Sequence, residues 1–107
     1  MRDVILAGVN RTAMGTLGGA FARVPAAELG VVSATAAFER SGVAPHDIDE
    51  TIAGNVLQAG QGMNPARQVS LNSGVPEGVP AYTVNKVCGS GMKALGLAWQ
   101  AIQTRQA

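Results

Sequence analysis

Cys88 is the only cysteine of the chain, and it stands in the order Cys88-Gly89-Ser90-Gly91, where an apolar, β-branched run gives way to a helical pattern. A thiol at a helix N-terminus faces unsatisfied N–H groups and the positive end of the dipole, which favours the thiolate, the attacking form. The glycines permit a tight strand-to-helix turn and let a carbonyl approach the backbone, as in the nucleophile elbow of the hydrolases. The freed N–H groups are then placed to hold a developing oxyanion. Nucleophilic acyl chemistry is the reaction class this arrangement suits. The same residues also fit a small hydrophobe buried in a glycine-rich turn, since free cysteines are commonly buried, and spacing alone does not choose between the two.

A cysteine nucleophile usually needs a base. The only histidine, His46, lies in Pro45-His46-Asp47, a turn-like link leading into a strand. Nucleophiles in open parallel sheets gather at the opposite, carboxyl ends of the strands, so His46 is expected to be a solvated loop residue and the base to come from elsewhere. Arg67 and Gln68 are expected to hold neighbouring loops or a subunit contact rather than substrate. Lys86 and Lys93 flank Cys88, yet such lysines are usually solvated or paired with surface carboxylates. Met92 and Trp99 fall on a helical stripe and are expected in the core. Met14 and Met63 lie in glycine-rich loops, and Asn55 is expected to be tied to an adjacent loop. One cysteine excludes an internal disulfide and a Cys-rich zinc site, and no metal is expected.

The elements that must position Cys88 follow from periodicity and from start and stop signals. Val4 to Val9 is a nearly unbroken apolar run, the pattern of a central parallel strand covered on both faces. Asn10 to Val24 reads as a long loop, interrupted by Gly15, Gly18 and Gly19. Pro25 opens a helix that is apolar over most of its girth and packs on two sides, and Ser41-Gly42 stops it. Thr51 to Leu57 is a second strand. Asn64-Pro65 caps and starts a short helix that ends at Ser73-Gly74. Ala81 to Val87 is a third strand, followed by a helix with the stripe Met92, Leu95, Gly96, Trp99 and Ile102. The alternation predicts an α/β fold, a parallel-rich sheet with helices on both faces. Three strands leave little surface for three apolar helices, so the fold is expected to be incomplete at the C-terminus.

The 107 residues have room for one domain or part of one. With 47% hydrophobic and 14% charged residues, composition argues against disorder. Eight Lys or Arg against seven Asp or Glu give a net charge of +1, and no run of basic residues forms a stripe for phosphate binding, so nucleic acid is not an expected partner. The apolar run after Met1-Arg2-Asp3 is too short for a signal-peptide core or a membrane span. No membrane partner is expected, and a lone thiol suits the reducing cytoplasm.

Val84-Asn85-Lys86-Val87-Cys88-Gly89-Ser90-Gly91-Met92-Lys93-Ala94-Leu95 resembles the active-site segment of the thiolases, the acetyl-CoA acetyltransferase family. Two further segments agree: Arg11-Thr12-Ala13-Met14-Gly15, and Gly54-Asn55-Val56-Leu57-Gln58-Ala59-Gly60 running on to Asn64-Pro65-Ala66-Arg67-Gln68. The likeness covers essentially the whole chain. It implies a thiolase-like fold of two similar halves, of which residues 1–107 are a partial N-terminal domain, without the C-terminal half and the CoA-binding loop domain. It also implies that Cys88 takes an acyl group from acyl-CoA as a thioester and passes it to a second acyl-CoA or to free CoA. Coenzyme A thioesters are then substrates and partners rather than cofactors, fatty acid metabolism is the setting, and the full-length protein is a homo-oligomer, a dimer or tetramer. The family's second cysteine, its histidine in a Gly-His-Pro setting and its water-placing asparagine have no counterpart among these residues, so the 107 residues alone are expected to be inactive. The alternatives within the same fold are a decarboxylating condensing enzyme of the ketosynthase type and a non-catalytic lipid or acyl-CoA binding protein.

Overall fold

The computed structural model describes residues 1–107. Five regular elements and one 3₁₀ turn follow in the order α1 (Ala26–Ser41), the turn Pro45–Asp47, β1 (Thr51–Gly54), α2 (Pro65–Asn72), β2 (Ala81–Val84) and α3 (Ser90–Gln103). The strands pair in parallel, Thr51 beside Ala81 through Gly54 beside Val84. The ladder extends at both ends through Thr51 N–H to the Pro80 carbonyl and Asn55 N–H to the Val84 carbonyl, each at 3.0 Å.

Alternation along a strand puts Thr51, Ala53, Ala81 and Thr83 on one face and Ile52, Gly54, Tyr82 and Val84 on the other. The first face carries α2. There Thr51 Oγ1 donates to Ser70 Oγ at 3.1 Å, and the Ala66 N–H donates to Thr83 Oγ1 at 3.0 Å. The second face carries α3, whose Ser90–Gly91 peptide lies directly over Gly54. The helices thus lie on both faces of a parallel sheet, as expected. α1 forms an outer layer on α2, with Gly30 against Val69.

The helix boundaries follow local chemistry. α1 ends at Gly42, whose φ of 73° is the left-handed cap that glycine adopts without strain, its N–H donating to the Phe38 carbonyl. Pro25 sits one place before the helix rather than inside it. α2 is capped by Asn64, whose side chain accepts the Arg67 N–H at 3.3 Å, and Pro65 fills the first helical position.

Three expectations are corrected. Val4–Val9 is not a strand: no backbone–backbone hydrogen bond involves it, and Ile5 is 85% exposed. An apolar run becomes a strand only with a ladder partner, and here side chains hold the segment instead. Asn10 Nδ2 donates to the Ser33 carbonyl at 3.1 Å, and Arg40 donates to the Val9 carbonyl at 3.0 Å. Gly8 packs on the Ala37 carbonyl, so α1 does pack on two sides, though none of its residues is fully buried. Second, both strands stop earlier than expected, at Gly54 and Val84, because side-chain amides take over the backbone beyond them. Third, Met92 and Trp99 are not core: they are 75% and 44% exposed, and Leu95 is exposed too. The face of α3 laid on the sheet is the small one, Ser90, Ala94 and Ala101, because Gly54 brings the backbones too close for larger side chains.

Only seven of the 107 residues are buried, so much apolar surface stays open. Part of it lines a groove of about 720 Å³ between α1 and α3, beside the edge of β1 that faces away from β2, with Ala37, Phe38, Ile52, Ala98 and Ile102 in its walls. No helix is long and apolar enough to cross a membrane.

Candidate active site

Cys88 lies where the sequence places it, between the carboxyl end of β2 and the first turn of α3. It is exposed and its thiol is free, at odds with the buried-hydrophobe reading. The backbone just before it is unusual. Val87 has φ +46°, in the left-handed region, where a β-branched residue is a genuine outlier. Such a conformation costs about 1–3 kcal/mol and persists only where the surroundings over-determine it.

The surroundings do so with neutral groups. Asn85 Oδ1 accepts the Val87 N–H at 2.9 Å, and its Nδ2 donates to the Val56 carbonyl at 3.2 Å, tying the turn to the loop after β1. The Lys86 carbonyl accepts the Gly89 N–H at 2.9 Å. Ser90 Oγ accepts the Lys86 N–H at 2.9 Å and donates to the Val87 carbonyl at 2.6 Å, which also accepts the Ser90 N–H at 3.1 Å. The N–H groups of Gly89 and Ser90 are therefore committed to the turn. Those of Gly91 and Met92 have no backbone partner and remain as the anion-attracting end of α3.

A second loop, 55–63, stands beside this turn and is shaped by amides. Asn55 Nδ2 donates to Gln61 Oε1 at 2.8 Å, Gln61 Nε2 donates to the Leu57 carbonyl, and Gln58 Nε2 donates to the Asn55 carbonyl at 3.0 Å. Gln68 Nε2 reaches from α2 to the carbonyls of Gln61 and Met63, at 2.7 and 3.0 Å. Arg67 forks onto the carbonyls of Val79 and Glu77, at 2.8 and 2.6 Å. Arg67, Gln68 and Asn55 thus hold loops, as expected.

His46 is not brought to Cys88. It precedes β1 while Cys88 follows β2, so in a parallel pair the two lie at opposite ends of the sheet. Its side chain is 77% exposed and stands 3.5 Å from the Asp47 carboxylate. Lys86 and Lys93 flank the cysteine and are exposed, with no carboxylate partner. Met14 and Met63 project from their loops. No three His, Cys, Asp or Glu side chains cluster as metal ligands would.

Sequence reasoning missed the clamp made by Asn85 and Ser90. The signal was present, since an amide three residues before the cysteine and a hydroxyl two after it are the types that bond nearby backbone.

Residues 4–107 match the thiolase N-terminal domain. The chain belongs to the thiolase family. This thiolase chain is 52% identical, over all 107 residues, to the acetyl-CoA acetyltransferase of Cupriavidus necator, of which it covers 27%. It is 54% identical over 104 residues to a probable acetyl-CoA acyltransferase of Staphylococcus aureus, covering 26% of that protein. Among solved structures, it resembles a thiolase from Ascaris suum in complex with coenzyme A, with TM-score 0.82 and 42% identity over 84% of this chain and 24% of that one. It also resembles the acetyl-CoA acetyltransferase of Bacillus anthracis, with TM-score 0.78 and 42% identity over 83% of this chain and 23% of that one. The thiolase chain thus spans about a quarter of the length of these relatives.

Proposed function

We propose that the protein carrying this chain is an acyltransferase of the thiolase type, with Cys88 as the acyl acceptor. The thiolate of Cys88 attacks the carbonyl carbon of an acyl-CoA thioester, the bond from that carbon to the CoA sulfur breaks, and the CoA thiolate leaves and takes a proton. The bond from the acyl carbon to the Cys88 sulfur then breaks as that carbon is attacked by the α-carbon of a second acyl-CoA that has given up a proton, or by the thiolate of free CoA, and Cys88 leaves as the thiolate. The observation that carries this reading is an exposed cysteine on a strained strand-to-helix turn, in a chain 52% identical to an acetyl-CoA acetyltransferase.

On the same reading, residues 1–107 are a partial N-terminal thiolase domain, coenzyme A thioesters are its substrates, and the protein assembles as a homo-oligomer. A cytoplasmic place in fatty acid metabolism accompanies that proposal. The 107 residues alone are expected to show no turnover, because they offer one cysteine and one histidine at the far end of the sheet.

The test is mass spectrometry of the protein after mixing with acetyl-CoA. An acetyl adduct on the peptide containing Cys88, lost in Cys88→Ala, supports the assignment. An adduct on another residue with Cys88 unmodified overturns it.

A further inference from the structure

We infer that Ser90 is a positioning residue for the acyl-transfer step, holding the Cys88 sulfur in its attacking direction by clamping the left-handed turn at Val87. The inference rests on the reading of Cys88 as acyl acceptor.

The Val87–Cys88 peptide sets where the Cys88 side chain projects, and the carbonyl of that peptide is held by two donors from one residue, Ser90 N–H and Ser90 Oγ–H. The same hydroxyl accepts the Lys86 N–H, so it ties both sides of the strained residue at once. Ser90 is only 4% exposed and lies over Gly54, so water does not readily take the place of its hydroxyl. Asn85 also holds Val87, but it is exposed, and water is able to replace its carboxamide. Removing the Ser90 hydroxyl leaves only the Ser90 N–H and the exposed Asn85 to restrain the left-handed Val87, and the weakened turn shifts toward the ordinary β or α regions.

The experiment measures the rate at which acetyl-CoA acylates Cys88, together with kcat, KM and thermal midpoint, in the protein carrying this chain and in Ser90→Ala, Ser90→Thr and Ser90→Ala/Val87→Gly. Ser90→Ala is expected to slow acylation and kcat about tenfold, the rate equivalent of one well-placed hydrogen bond, with KM unchanged. Ser90→Thr, which keeps the hydroxyl, is expected to react faster than Ser90→Ala, while its added methyl, crowded at a buried position beside Gly54, lowers the thermal midpoint. Val87→Gly in the Ser90→Ala background is expected to restore the rate, because glycine takes a positive φ without a clamp. A role confined to stability predicts instead a lowered thermal midpoint in Ser90→Ala with the acylation rate of the folded protein unchanged. The double variant also gives a result if Ser90→Ala is too unstable to assay. An unchanged acylation rate in Ser90→Ala, or a double variant no faster than Ser90→Ala, overturns the role of Ser90. Absence of the acetyl group from Cys88 in the unsubstituted protein overturns the underlying reading instead.

Discussion

Gly54, the last residue of β1, lies against the first turn of α3 so closely that a β-carbon there would stand 2.5 Å from the carbonyl carbon of Ser90 and 2.6 Å from the nitrogen of Gly91. Backbone atoms cannot swing aside as a flexible side chain does. Gly54→Ala is therefore expected to push the start of α3 off the sheet, at a cost of about 1–3 kcal/mol for overpacking. Because Ser90 moves with that turn, the variant is also expected to acylate Cys88 more slowly. Urea unfolding and acylation kinetics on the same protein check both effects; a stable variant with full reactivity would show that the contact does not govern the turn.

Asn64 joins α2 to β2 through three bonds: it accepts from the Arg67 N–H at 3.3 Å and from Thr83 Oγ1 at 2.8 Å, and it donates to the Ala81 carbonyl at 2.9 Å. Its φ of 47° is one that asparagine tolerates better than alanine. Asn64→Ala is expected to cost about 1–2 kcal/mol, the upper part of the range for losing an N-cap. The urea midpoint should fall while the slope of the transition stays the same.

Tyr82 lies in β2, beside Ile52 of β1. Burial raises its pKa above the ordinary 10.0, and the nearby carboxylate of Glu50 raises it further. The folded chain thus holds the phenol proton more tightly than the unfolded chain does. This term leaves stability untouched below 10.0 and removes stability as pH rises through the folded value. Tyr82→Phe is expected to lose that alkaline decline, and Glu50→Gln to lessen it. Unfolding curves on either side of pH 10 decide the matter; a decline of equal size in Tyr82→Phe would assign it to other groups.

Much of this fold was legible where a single residue type decides the backbone. Pro25, Gly42, Asn64 and Pro65 mark helix ends through their own dihedral limits or side-chain bonds, and the structure respects them. The parallel pairing and the place of Cys88 followed from the alternation of elements. What escaped were features that depend on a partner. Val4–Val9 has strand composition but no neighbouring ladder. The buried face of α3 was misread because size periodicity pointed to Met92 and Trp99, whereas contact with Gly54 selects Ser90, Ala94 and Ala101. The bonds among Asn55, Gln58, Gln61 and Gln68 have no period, so no pattern announces them.

The turn before Cys88 and its companion loop are fastened by carboxamides, a hydroxyl and main-chain groups. Nothing in that framework ionises or discharges between mild acid and mild base, and there is no counter-charge for added electrolyte to shield. A change in reactivity across that interval therefore reports the reacting species themselves, while the mounting on which they sit keeps its shape.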